Sequence, residues 1–225
     1  MREIVLDTET TGLDPEAGHR IIEIGCVELE NHVPTTRNLQ LYLNPDRDIP
    51  EDSFRVHGLS FEFLADKPRF SDVAQQFLEF IAEAPLVIHN ADFDLKFLNA
   101  ELARSGLPPI PADRAIDTVK IARQRFPGAQ ASLDALCRRF EIDLSERSLH
   151  GALLDCQLLA AVYLELRGGR QPGLILAEEK GQEASTSELR ADRPPRPPRP
   201  HSPSQAEQEA HARMLEKLKD PLWSS

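Results

Sequence analysis

The chain has 225 residues, 40% hydrophobic and 28% charged, with a formal net charge of -11 from 37 acidic and 26 basic residues. That length buries one ordinary core with chain to spare, and no apolar run reaches the ~18 residues of a membrane span. The acidity argues against gripping nucleic acid by bulk positive charge alone.

The start, Met1-Arg2-Glu3-Ile4, lacks the apolar stretch of a secretion signal, so a soluble, cytoplasmic protein with no membrane partner is expected. Cys26, Cys137 and Cys156 are odd in number and lack C-x-x-C spacing. They read as small core residues, with neither a disulfide framework nor a zinc site.

In chain order, Ile4-Val5-Leu6, residues 21–27 and residues 38–43 read as strands joined by turns short enough for an antiparallel three-strand meander. Residues 73–81 have helical apolar spacing, and Leu86-Val87-Ile88 reads as a short buried strand. Residues 93–102 and 133–140 read as helices. A last helix is expected over 151–167, stopping at Gly168-Gly169. Strands first and helices afterwards predict an α/β fold, a central mixed sheet flanked by helices.

Aromatic residues vanish between Tyr163 and Trp223, so a folded domain over 1–170 is expected. Residues 177–205, with the run Arg193-Pro194-Pro195-Arg196-Pro197-Pro198-Arg199-Pro200, read as a disordered, Pro-rich linker. In the final segment, 206–225, a helix over 206–218 would put Met214, Leu215 and Leu218 at helical spacing, with Trp223 following. Too few apolar residues are present for it to fold alone, which suits docking onto a partner.

Three acidic signals stand out. Asp7 and Glu9 follow the apolar start of the first strand at i and i+2, a spacing that a strand directs to one face. Two like charges there call for a cation, unless the strand has already left the core. In His89-Asn90-Ala91-Asp92-Phe93-Asp94, Asp94 begins beside the core-facing stripe of Phe93 and Phe97, whereas Asp92 reads as a helix-start carboxylate on the dipole.

The sharpest signal is Asp155, the only charged residue between Ser148 and Leu164. A helix apolar nearly all round is buried, and an unpaired carboxylate there costs on the order of several kcal/mol. Asp155 therefore needs a partner, and a metal ion fits better than any nearby base. His150, five residues earlier, stands at the helix start, where its ring either reaches the same site or only caps the helix.

Together these pieces resemble the DEDDh class of 3'-5' exonucleases, with its Asp-x-Glu strand, a helix-borne Asp after a Phe, and His-x-x-x-x-Asp on a late helix. Further segments extend the likeness over essentially the whole domain. They include Arg20-Ile21-Ile22-Glu23-Ile24-Gly25, Val56-His57-Gly58-Leu59, Val87-Ile88-His89-Asn90-Ala91, Phe126-Pro127-Gly128 and Ser132-Leu133-Asp134-Ala135-Leu136-Cys137. They resemble the DnaQ-like proofreading epsilon-subunit family of bacterial DNA polymerase III.

The resemblance implies a ribonuclease H-like exonuclease fold with a flexible C-terminal tail, acting on single-stranded or frayed DNA 3' ends. It implies two divalent cations, Mg2+ or Mn2+, held by Asp7, Glu9, Asp94 and Asp155, with Asp7 bridging both ions and His150 as general base. Asp7, Glu9 and Asp155 would also contact the substrate. His57 would lie near the bound nucleotide, together with Asp52, shorter than the Glu more usual there.

In the tail, Gln171-Pro172-Gly173-Leu174-Ile175-Leu176 resembles sliding-clamp peptides, with Gln171, Leu174 and Leu176 as the contacts. The terminal segment, with Met214, Leu215, Leu218 and Trp223, resembles the part of the family that docks on the polymerase III alpha subunit. A small theta-like accessory subunit is a further implied partner. Two other readings stay open on sequence: a DEDDh exoribonuclease trimming RNA 3' ends, and a catalytically silent adaptor between clamp and polymerase.

Overall fold

A computed structural model of the chain describes residues 1–145, 149–169 and 202–217, within two units, Met1–Ile175 and Leu176–Ser225. In the first unit, strands β1 (Arg2–Thr10), β2 (Ile21–Glu30), β3 (Val33–Tyr42), β4 (Leu86–Ile88) and β5 (Ala115–Asp117) form one sheet of order β3-β2-β1-β4-β5. β1, β2 and β3 pair antiparallel, whereas β4 runs parallel to β1 and β5 parallel to β4. This is the expected mixed sheet, with the meander on one side.

The helices of this unit are α1 (Glu51–His57), α2 (Phe61–Leu64), α3 (Phe70–Ile81), α4 (Ala91–Arg104), α5 (Thr118–Arg125), α6 (Leu133–Arg139) and α7 (Ala152–Leu166). Four elements were not legible as periodic segments: α1, α2, β5 and α5. β5 has three residues, none fully buried, and α5 buries only Thr118 and Ala122, so neither shows an apolar stripe. β3 also begins earlier than expected. A tight turn at Asn31 and His32, both with positive φ, puts Val33 opposite Glu30 and extends the ladder through a stretch that is mostly solvent-facing.

The period of two along β1 divides the core. Ile4 and Leu6 pack with Ile24, Cys26, Phe77, Phe97 and Leu98 beneath α3 and α4, while Val5 packs with Val27, Leu136, Leu159 and Tyr163 beneath α6 and α7. Cys26, Cys137 and Cys156 are all buried, as core residues. β1 is thus covered on both faces, and its C-terminal end emerges where the two helical layers meet. Gly25 shapes this end. It lies opposite Asp7 and directly against the Ala152 backbone, so any Cβ there would collide with the start of α7.

In the second unit, α8 (Gln205–Leu215) opens with a capping box between Ser204 and Glu207. It ends before Leu218. Leu218 and Trp223, the peptide 171–176 and most of the 177–205 linker lie outside the described residues. No helix among the described residues is long and apolar enough to cross a membrane.

Candidate active site

β1 delivers Asp7 and Glu9 to the end of the sheet, where two helices bring further carboxylates from opposite layers. Asp94, in the first turn of α4, is 3% exposed. Thr8, between the two strand acids, donates from Oγ1 to Asp94 Oδ1 at 2.7 Å, so one strand holds acids on one face and orients the acid on the other. Burial pushes the Asp94 carboxyl up to about 7, against the lowering effect of the Thr8 hydroxyl. Asp92, only two positions away, is 84% exposed and 3.9 Å from Lys120, outside this cluster.

Asp155 comes from α7, buried. Its partner is not only prospective: His150 Nδ1 stands 3.1 Å from Asp155 Oδ2. Of the two placements left open for His150, the loop entering α7 takes the one that brings the ring to this acid. Glu9, His150 and Asp155 each offer a ligand atom within 4.8 Å of the others. Asp7 is held well above the usual carboxylate range by burial and then by the surrounding charges of Asp94, Glu9, Asp155 and Glu23. Asp7 lines a cavity of about 310 Å³ with His89, Asp134, His150 and Asp155.

A second cavity, of about 330 Å³, lies beside Glu9 and is lined by Leu13, Asp52, His57 and Phe93 among others. His57 closes α1 and is 5% exposed. Its Nδ1 accepts the Leu59 amide at 3.0 Å, which leaves the proton on Nε2. Nε2 is the one buried side-chain nitrogen or oxygen without a hydrogen-bond partner among the described residues. Burial lowers the His57 pKa, favouring the neutral ring. Asp52 borders the same cavity, but its side chain is 98% exposed and 3.7 Å from Arg55. The two cavities are linked through the backbone, since the His150 amide donates to the Val56 carbonyl at 3.1 Å.

Asp7, Glu9, Asp94, His150 and Asp155 are therefore brought together, with His57 and Asp52 at the adjoining cavity. Of the tail contacts, Met214 is 51% exposed and Leu215 less so, both on α8. Gln171, Leu174, Leu176, Leu218 and Trp223 lie outside the described residues. Sequence reasoning missed Thr8 and Glu23. Glu23 carried a usable signal, a lone acid inside the apolar run of β2.

The model of the exonuclease family (RNase T) matches residues 4–163. DNA polymerase III subunit epsilon of Rickettsia felis is 55% identical over 182 residues, which span 80% of this chain and 80% of that relative. This chain belongs to the DNA polymerase III epsilon-subunit family of exonucleases. The Escherichia coli (strain K12) member is 48% identical over 189 residues, 81% of this chain and 78% of its own.

Among solved structures, Exonuclease X in complex with 5' overhanging duplex DNA aligns with a TM-score of 0.58 and 28% identity, covering 73% of this chain and 90% of that one. The nuclease domain of 3'hExo, a DEDDh family member bound to rAMP, shares the fold with a TM-score of 0.64 at 22% identity, covering 74% and 92%. As an epsilon-family exonuclease, the protein is a metal-dependent 3'-5' exonuclease. The residues present fit divalent metal ions. The donor set is rich in carboxylate oxygens, and among the described residues no Lys or Arg makes an ion pair with Asp7 or Asp94. Burial raises both pKa values, joined at Asp7 by the surrounding carboxylates, and a cation would offset the cost of holding these groups charged.

Proposed function

We propose that the protein proofreads DNA, removing mispaired 3'-terminal nucleotides as 5'-monophosphates with the aid of two divalent cations, Mg2+ or Mn2+. The observation that carries this reading is the convergence of Asp7, Glu9, Asp94 and Asp155 from three separate elements, with His150 at 3.1 Å from Asp155. Asp7, Glu9 and Asp155, together with Asp94 oriented by Thr8, would hold these cations. When bound, such ions supply water activation and neutralise charge on the leaving 3' oxygen.

His150, whose side chain is 47% exposed, takes the proton of the attacking water, and Asp155 orients its ring. His57 offers its unsatisfied Nε2–H to the terminal nucleotide, with Asp52 at the rim of the same cavity. A bounded cleft favours ends that fray, because a paired terminus must first give up its stacking. Access to the site then provides selectivity.

The same reading assigns Gln171, Leu174 and Leu176 to a sliding clamp. Met214, Leu215, Leu218 and Trp223 are assigned to the polymerase III alpha subunit, and a small theta-like subunit is a further candidate partner. It places the protein in the cytoplasmic replisome. Support comes from the epsilon-subunit relatives and from the exposure of Met214 on α8.

Incubating the purified protein with matched and 3'-mismatched primer templates, with and without Mg2+, tests the proposal. Release of 5'-monophosphates only with the cation, and faster from the mismatch, is expected. Metal-independent release, or none from the mismatched end, would overturn it.

A further inference from the structure

α7 carries Asp155 and follows His150, yet its N-terminus has no cap of its own. The cap position is Gly151, which has no side chain to accept the first-turn amides. The acceptor comes instead from the sheet. Glu23 Oε2 accepts the Ala152 amide at 3.2 Å, across 129 positions of sequence. Its Oε1 accepts from Gln40 Nε2 at 2.8 Å, and the same nitrogen stands 2.8 Å from Tyr42 Oη.

Glu23 is 1% exposed and sits opposite Glu9 in the ladder, two positions from Gly25, which is opposite Asp7. The start of α7 is thus pressed onto β2 at Gly25 and tethered at Glu23. Among the described residues Glu23 makes no ion pair with Lys or Arg. A carboxylate so placed costs stability unless hydrogen bonds and the positive end of a helix compensate it.

We infer that Glu23 is a positioning residue, capping α7 from the sheet and so setting where Asp155 and His150 stand relative to Asp7 and Glu9. The inference rests on the reading of Asp155 and His150 as working groups of the exonuclease. The Glu23 carboxylate offers α7 both a hydrogen-bond acceptor and a charge, and a glutamine would retain only the acceptor. Positioning by capping requires the acceptor.

The test uses the full chain, a single-stranded oligonucleotide and Mn2+. Glu23→Ala is expected to lower kcat about 10- to 100-fold, the scale of a small misplacement of reacting groups, with KM changed by no more than about threefold. It is also expected to weaken Mn2+ binding measured without substrate. Glu23→Gln is expected to recover kcat to within about fivefold of the unaltered protein, because the amide oxygen still caps.

Gln40→Ala removes the hydrogen bond to Glu23 Oε1 while leaving Oε2 to accept the Ala152 amide. Should Glu23→Ala fail to fold, it is expected to give a smaller kcat loss in the same direction. The inference is overturned if Glu23→Ala keeps kcat within about twofold, or if Glu23→Gln falls as far as Glu23→Ala. It is equally overturned if either alanine variant only lowers Tm while kcat per folded molecule stands. Absence of cation-dependent hydrolysis by the unaltered protein would instead sink the exonuclease reading, while Mn2+ binding would still report on Glu23.

Discussion

β1 carries acids near each end, and the two ends treat them in opposite ways. At its start, Glu3 is fully buried, with Tyr163 Oη donating at 2.7 Å and His32 Nδ1 at 2.6 Å. Across the ladder Glu28 accepts from Arg2 at 2.6 Å, Thr35 at 2.9 Å and Arg37 at 3.0 Å, and the Arg2 bond helps hold its carboxyl below the usual range.

At the other end, Asp7 and Asp94 have no Lys or Arg ion pair among the described residues, and both are raised. Glu101, about two turns beyond Asp94 on α4, repeats the first pattern, taking Arg20 at 2.6 and 2.8 Å. Burial therefore does not single out a working acid. The surroundings do: Glu3, Glu28 and Glu101 are met by protein donors or cations, whereas among the described residues Asp7 and Asp94 have no Lys or Arg ion pair, a deficit that a cation from outside would fill.

The largest expected effect breaks the comparison at the site. Asp7→Ala and Asp155→Ala should each reduce hydrolysis of single-stranded DNA to below about 1%, while thermal melts of the cation-free protein stay equal or rise because repulsion is relieved. More than a few per cent of activity in both variants would contradict the assignment. His150→Ala should follow, with kcat down by ~10²–10⁴-fold and KM nearly unchanged in steady-state assays. A KM effect alone would make His150 a binding group.

At a paired acid the expectation inverts. Glu101→Ala leaves Arg20, 23% exposed, without its carboxylate, and urea unfolding should show a loss toward the lower end of about 3–5 kcal/mol. Turnover per folded molecule should hold. If Glu101→Ala instead lowered kcat without loss of stability, the distinction between the two kinds of acid would fail.

The smallest effect concerns pH. Because Asp94 is raised to about 7 in the folded state, and Asp7 is also raised, folding favours their protonated forms. Their contribution to stability is therefore complete below the ordinary carboxylate pKa of about 3.9 and is lost as pH rises through about 7. The melting temperature of the cation-free protein should decline between about pH 4 and about pH 7, less so with Mg2+ present. Asp94→Asn should flatten the decline. An identical slope in that variant would show that other groups titrate.

Local pattern alone determined a good deal about this protein. Short apolar runs bounded by turns set β1 and β2, helical spacing set α3, α4 and α7, and the charge-free surroundings of Asp155 marked it as a buried acid in need of a partner. These are properties of neighbouring residues, and a strand or helix period brings them out without reference to the rest of the chain. The likeness of ordered motifs to the exonuclease family then named the same five site residues.

Only the tertiary structure decided which groups meet. Thr8 orients Asp94 across 86 positions and Glu23 caps α7 across 129, and both contacts depend on strand register, where a slip of one residue would turn each side chain to the other face. Family likeness alone singled out His57, and it took the turn at Leu59 to claim its Nδ1 and burial to leave Nε2 unsatisfied. The short elements β5 and α5 were hidden for the same reason, since too few of their residues are buried for any period to show, and it is their neighbours in space that make them strand and helix.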